Sequence, residues 1–251
     1  MKIYAYLALV VLFPGCHGPG YDNDLFHAVS SGDSASIRHA VDTRADIGIR
    51  DSYGETPLSV ACFKQQDKIA AILLDHHADA NTINKDGVTP LMYSAAHGSV
   101  GTIALLLEHG AGTNVVSKEG LTALVYACLN DQPGAAAILI RYKATVDFRL
   151  KDGETILMIA AARGNTGMAD LLIRSGADVN ARDNSSATAL MAACRSRQKD
   201  MVKLLLERNA DAAIRDENGE TALTHAARAG EKEIVDMLTT RGRPVSGGLF
   251  K

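Results

Sequence analysis

The 251-residue sequence predicts an all-α repeat fold of about seven 33-residue helix-turn-helix units with β-hairpin loops between them. Three observations carry this. A Gly-x-Thr motif returns every 33 residues. Each copy repeats the same order of helix start and stop signals. The composition is rich in Ala, Leu and Gly, lacks Trp and is only 5% aromatic, which suits helices packed closely on small side chains.

The motif stands at Gly54-Glu55-Thr56, Gly87-Val88-Thr89, Gly120-Leu121-Thr122, Gly153-Glu154-Thr155 and Gly219-Glu220-Thr221, with Ser186-Ala187-Thr188 in the remaining slot. Thr suits an N-cap and Pro the first helical turn, so Thr56-Pro57 and Thr89-Pro90 read as helix starts. The first apolar segment of each copy holds a small pair: Ala61-Cys62, Ser94-Ala95, Ala127-Cys128, Ala160-Ala161, Ala193-Cys194 and Ala226-Ala227. A second apolar segment follows, as at Ile69 to Leu74, Ile103 to Leu107 and Met201 to Leu206. Gly110, Gly176 and Gly242 sit where this second helix ends. Asp86-Gly87 and Asp152-Gly153 carry hairpin-turn chemistry. Copies begin near residues 21, 54, 87, 120, 153, 186 and 219, the first degenerate, with Leu25, Ala28, Gly32 and Ala45-Asp46 in register. No copy can bury its apolar face alone, so the copies are expected to stack as one elongated domain over 21–251.

This pattern resembles the ankyrin repeat. The family's Thr-Pro-Leu start appears at Thr56-Pro57-Leu58 and Thr89-Pro90-Leu91; later copies replace the Pro, as in Thr122-Ala123-Leu124 and Thr155-Ile156-Leu157. Its Leu-Leu-Leu run appears at Leu105 to Leu107 and Leu204 to Leu206. The resemblance implies an ankyrin solenoid.

A second period of 66 residues is superimposed. Copies two, four and six carry Cys62, Cys128 and Cys194 where the odd copies carry Ala; Gln65, Asp131 and Arg197 where they carry Gly; and His77, Lys143 and Asn209 where they again carry Gly. The even copies are therefore expected to be less regular at two helix ends. The three cysteines, two copies apart, stand roughly 20 Å from one another at helix spacing. A disulfide needs Cα atoms within about 7 Å, so buried free thiols are expected.

Residues 1–20 read differently. Lys2 is the one charge before Asp22, and Ile3 to Phe13 is an apolar run of 11 residues. That is short of the roughly 20 residues of a membrane span and suits a signal peptide. Leu12-Phe13-Pro14-Gly15-Cys16 resembles a bacterial lipobox, with Pro14 unusual at its position; it implies lipid on Cys16, with ordinary cleavage, as after Gly18, the alternative. His17 rather than Asp after Cys16 implies the outer membrane, so the expected location is the periplasm, on an outer-membrane-anchored lipoprotein.

The formal net charge of −3 gives none of the basic excess of a nucleic-acid binder. Metal, nucleophile and phosphate-loop motifs are missing. His76, His77 and His109 read as a solvated helix-end face rather than a metal site. No catalytic residue, metal or cofactor is expected.

The resemblance implies a concave binding surface, made of loop tips and the two residues after each small pair. Carried over, the helix positions include Phe63, Lys64, His97, Leu129, Asn130, Arg163, Arg195 and Arg228. The tips include Tyr53, Glu55, Val88, Leu121, Asp152, Glu154 and Glu220. Phe63, Val88, Leu121 and Leu129 place apolar side chains on a face expected to be wet, and Arg163, Arg195 and Arg228 form a row suited to carboxylates. The expected partner is a protein with an acidic contact surface; the chain touches membrane only through its lipid and is a monomer when free. The expected function is a non-enzymatic interaction scaffold that binds and neutralises a protein in the periplasm, as an immunity protein or inhibitor does. The alternatives are a helper of a periplasmic enzyme in stress defence and an effector exported to a host cell.

Overall fold

The computed structural model describes residues 24–241. The segment expected to be a signal peptide, Cys16, Gly242 and the tail from Arg243 to Lys251 lie outside them. Fourteen helices are described, two per copy: α1 (Asp24–Ser31) and α2 (Ser34–Asp42), α3 (Pro57–Phe63) and α4 (Asp67–Asp75), α5 (Pro90–His97) and α6 (Val100–Glu108), α7 (Ala123–Leu129) and α8 (Pro133–Arg141), α9 (Ile156–Arg163) and α10 (Thr166–Arg174), α11 (Ala189–Arg195) and α12 (Lys199–Glu207), α13 (Ala222–Ala229) and α14 (Lys232–Arg241). The chain divides into two compact units, the first ending at Thr145 and the second beginning at Val146.

In the first unit the leading helices α1, α3, α5 and α7 pack in series, as do the trailing helices α2, α4, α6 and α8. In the second unit α9, α11 and α13 form one layer and α10, α12 and α14 the other. The predicted helix starts are built as expected. Thr56, Thr89, Thr122, Thr155 and Thr188 each accept the backbone N–H three residues on, which satisfies one orphan donor of each helix. The small pairs up to Ala193-Cys194 are fully buried, so neighbouring leading helices meet at close range. Cys62, Cys128 and Cys194 are buried thiols in no disulfide. Burial pushes the Cys62 and Cys194 thiols up to about 12, which leaves them inert.

The loop tips are tighter than hairpins. In each tip the first residue donates its N–H to the carbonyl of the fifth: Asp51 to Glu55, Asn84 to Val88, Ser117 to Leu121, Leu150 to Glu154, Asp183 to Ala187 and Asp216 to Glu220, at 2.9–3.1 Å. Five residues are too few for a ladder. Among the described residues there is no strand, and Arg149 and Thr155 form one isolated antiparallel bridge. Tips are stitched to their neighbours by backbone bonds. In the first unit the N–H of Lys85 donates to the carbonyl of Tyr53, and that of Lys118 to Asp86; in the second Asn184 donates to Asp152 and Glu217 to Ser185. Asn81 adds a second stitch, donating to the Gly110 carbonyl at 2.9 Å and accepting the Gly112 N–H at 2.8 Å.

The 66-residue alternation shortens the leading helix of the even copies by one residue, seven in α3, α7 and α11 against eight in α5, α9 and α13, but leaves the corner conformation unchanged. Gln65, His77, Asp131, Lys143, Arg197 and Asn209 take φ values of 54–68°, the left-handed conformation that Gly98, Gly110, Gly164, Gly176 and Gly230 occupy in the odd copies. Helix packing fixes the chain path whatever residue fills the corner. The expected irregularity is therefore a one-residue shortening of the leading helix together with a conformational cost at the corners. A non-glycine residue in this region costs about 1–2 kcal/mol, partly offset by the greater freedom glycine loses on folding. Lys143 is exposed, so Lys143→Gly isolates the effect and is expected to raise stability by about 0.5–1 kcal/mol in urea unfolding.

Candidate functional site

In the first unit Tyr53 stands on a tip, 41% exposed. Phe63, Lys64, His97 and Asn130 are half-buried at the C-terminal ends of leading helices. The Phe63 ring meets Tyr93 edge-on at 5.5 Å between centroids and His97 at 6.0 Å. Tyr93 then reaches the tips. Its hydroxyl donates to Glu55 Oε1 at 2.5 Å, Asn84 Nδ2 donates to the same oxygen at 2.7 Å, and the Ser59 hydroxyl donates to Glu55 Oε2 at 2.5 Å. Glu55, a tip residue expected in water, is thus buried and held by three donors from two copies. Burial lowers the His97 ring below its ordinary range, against a backbone hydrogen bond with Phe63 that raises it. His97 Nε2 is buried without a hydrogen-bond partner. Asn130 Nδ2 donates to the Tyr126 carbonyl at 2.8 Å and finishes its own helix.

In the second unit Arg163 is half-buried and Arg195 and Arg228 are exposed. They are not a bare cationic row. Arg228 forks onto Glu220, with Nη1 at 2.6 Å from Oε2 and Nη2 against Oε1. Arg195 acts electrostatically on Glu154. Burial pushes that carboxyl up to about 7, helped by Asp152 and Asp183 and opposed by Arg195. Arg163 has no ion pair among the described residues. On the last tip, His225 Nε2 lies 2.9 Å from Asp216 Oδ2. Burial raises the Asp216 carboxyl, but the N–H of Glu220, the His225 ring and the N–H of Asn218 outweigh it and hold the group below the usual carboxylate range. Asp216, Glu220 and His225 are the one trio of possible metal-ligand side chains among the described residues. Their facing atoms are already engaged with one another and with Arg228, a donor set that suits a hydrogen-bonded tip rather than a cation.

The family described as ankyrin repeats (3 copies) matches residues 25–118, 105–183 and 176–246. The chain belongs to the ankyrin-repeat family. The crystal structure of the ankyrin repeat domain of Bcl-3, titled a unique member of the IkappaB protein family, superposes with a TM-score of 0.77 at 23% identity, covering 87% of this chain and 98% of that one. The ankyrin repeat domain of human ASB11 superposes with a TM-score of 0.79 at 22% identity, covering 89% of this chain and 100% of that one. These likenesses show the fold. No curated protein matches the chain.

Ankyrin repeats indicate a protein–protein interaction scaffold, and the ankyrin register corrects part of the expected surface. Val88, Leu121 and Leu129 are buried, at 4%, 0% and 7% exposure, and offer a partner no side chain. Val88 and Leu121 are fifth tip residues, like Glu55 and Glu154, and in these four copies that side chain is buried. Leu129 is the last residue of α7 and lies on its covered side. Among the described residues the exposed large apolar side chains are instead Tyr53, Ile83, Val100, Val116 and Leu223, with Ile83 and Val116 at 50% and 46%. Ile83 and Val116 occupy the position before the tip, where Arg50, Arg149, Arg182 and Arg215 bond tip carbonyls. A break from Arg to Ile and Val in a 33-residue column was the signal that could have found them.

Proposed function

We propose that this ankyrin protein is a non-enzymatic binder that holds and neutralises a protein partner in the periplasm, tethered to the outer membrane by lipid on Cys16. What carries the reading is where the accessible groups fall in the repeat register. Tyr53, Phe63, Lys64 and His97 in the first unit, and Arg163 and Arg195 in the second, keep exposed or half-exposed side chains at the family's contact positions. Tyr53 stands on a tip whose carbonyl is bonded by the next copy, the others on leading-helix ends closed by backbone bonds within their own copy, and rigid mounting of aromatic and arginine side chains suits a binding surface. The location is supported by the apolar run Ile3 to Phe13 and the lipobox-like Cys16.

The test is affinity capture from the native envelope, with the native chain and an Arg163→Glu/Arg195→Glu variant as parallel baits. One protein retained by the native bait, reduced at least tenfold on the variant, and inactivated by stoichiometric native chain supports the reading. A retained enzyme whose activity rises in the complex would replace neutralisation by support of a periplasmic enzyme. Absence of any specifically retained protein, with and without envelope stress, would overturn the binding reading.

A further inference from the structure

The residue directly before the tip is Arg50, Arg149, Arg182 and Arg215 in four copies, and Ile83 and Val116 in the two between the first pair. In the first unit Arg50 Nη1 donates to the Gly54 carbonyl of its own tip at 2.9 Å and to the Ile83 carbonyl of the next copy at 2.7 Å. In the second unit Arg149 bridges the Gly153 and Arg182 carbonyls at 3.2 and 2.8 Å, and Arg182 bridges Ser186 and Arg215 at 3.4 and 3.0 Å. Each of these guanidinium groups is a rung between the carbonyl four residues on and the carbonyl 33 residues on.

The rung is missing at Ile83. The two carbonyls in register are those of Gly87 and Val116, both in the first unit, and neither accepts a hydrogen bond among the described residues. Nor does that of Gly120, four residues after Val116. The aliphatic side chains that replace the guanidinium stay in water, Ile83 at 50% and Val116 at 46% exposure. Tyr53, exposed on the tip before, gives its carbonyl to the Lys85 N–H and extends the apolar strip. A single exposed aliphatic residue means little. Here such residues fall on or beside three successive tips, next to backbone acceptors that other copies hold with a cation. The tip charges Lys85, Asp86, Lys118 and Glu119 are exposed and cancel, so the unpaired carbonyls set the local sign, and it is negative.

We infer that this strip docks an arginine of the protein partner, laid against Ile83 with its guanidinium forked onto the Gly87 and Val116 carbonyls; the inference rests on the binding reading above and names the chemistry of the contact. A guanidinium presents five N–H donors in a rigid plane, and its weakly hydrated faces pack on apolar side chains. It meets both demands of the seat, two separate acceptors and an apolar floor, and restores from outside the rung that Arg50 builds from within. A lysine ammonium is compact and strongly hydrated and has no such fork. A carboxylate only accepts, so it would leave the carbonyls unpaired. The partner's contact with the first unit is thus an arginine beside apolar groups, rather than an acidic surface.

The direct test titrates isotope-labelled full chain with three capped tripeptides, Gly-Arg-Gly, Gly-Lys-Gly and Gly-norleucine-Gly, following the backbone carbonyl carbons of Gly87 and Val116 by NMR. Saturable shifts are expected with the Arg peptide, binding at least threefold weaker with Lys, and no shift with norleucine, which is apolar and has no side-chain donor. Ile83→Arg rebuilds the rung from within; it is expected to fold, since Ile83 is exposed, and to abolish the shifts. Arg50→Ile does the reverse and is expected to add a second seat, read at the Gly54 and Ile83 carbonyl carbons. No saturable shift with the Arg peptide, equal binding of the Lys or norleucine peptide, shifts that survive Ile83→Arg, or no second seat in Arg50→Ile would each overturn the inference. In envelope capture, a partner lost by Ile83→Arg, and lost again when its own contacting arginine is replaced by lysine, supports it. A partner retained equally by native and Ile83→Arg chains overturns the seat and leaves the binding reading standing.

Discussion

Leu121→Ala is expected to destabilise the protein by about 2–5 kcal/mol, the cost of deleting a buried leucine and leaving a cavity. It is not expected to weaken partner capture by folded chain. Leu121 is fully buried. Its backbone is fixed at both ends of the turn: its N–H donates to the Ser117 hydroxyl at 3.3 Å and its carbonyl accepts the Ser117 N–H at 3.0 Å. The side chain is thus delivered into the core from a loop whose backbone faces water. Tyr53→Ala is the counterpart. Its ring is 41% exposed, so truncation should stay within about 0.5 kcal/mol in stability and reduce capture instead. Urea unfolding and quantitative capture on the same two variants separate the roles. A Leu121→Ala chain of native stability that no longer captures the partner would return Leu121 to the contact surface.

The repeat register was legible because it is written in local chemistry. Thr caps, small pairs and turn residues act within a few positions of themselves, and a fixed period of 33 multiplies each signal. The buried thiols followed from the same register. The direction of the fifth tip residue was not legible. Its column reads Glu55, Val88, Leu121, Glu154, Ala187 and Glu220, a mixture that looks like a solvated loop. Glu55, Val88, Leu121 and Glu154 are buried, while Ala187 and Glu220, which close the same turn, are half-buried, so burial depends on what each tip packs against and, in Glu55, on donors from the next copy. Nor could local preference show that Gln65, Lys143 and Asn209 would take glycine's conformation, since packing of whole helices decides that. The pairing of Arg228 with Glu220 joins a helix end to its own tip across eight residues. That spacing matches no helical rule, so the arginine row looked freer in the sequence than it is.

Gly153→Ala and Gly219→Ala form the sharpest pair of tests for how copies are held together. Both glycines sit at the same tip position of the second unit with nearly the same backbone, φ +80 and +75. A Cβ at Gly219 meets nothing within 4 Å; one at Gly153 would stand 2.8 Å from the backbone nitrogen of Asn184 in the next copy and against its side-chain oxygen. Conformational strain is common to both and costs about 1 kcal/mol. The clash is unique to Gly153, and because it falls on backbone no rotamer change relieves it. Asn184 must move, which strains its 3.0 Å bond to the Asp152 carbonyl and adds about 1–3 kcal/mol. Gly153→Ala is therefore expected to cost about 2–4 kcal/mol and Gly219→Ala about 1 kcal/mol in urea unfolding. Equal losses would mean that tip-to-tip contact contributes nothing beyond the turn itself.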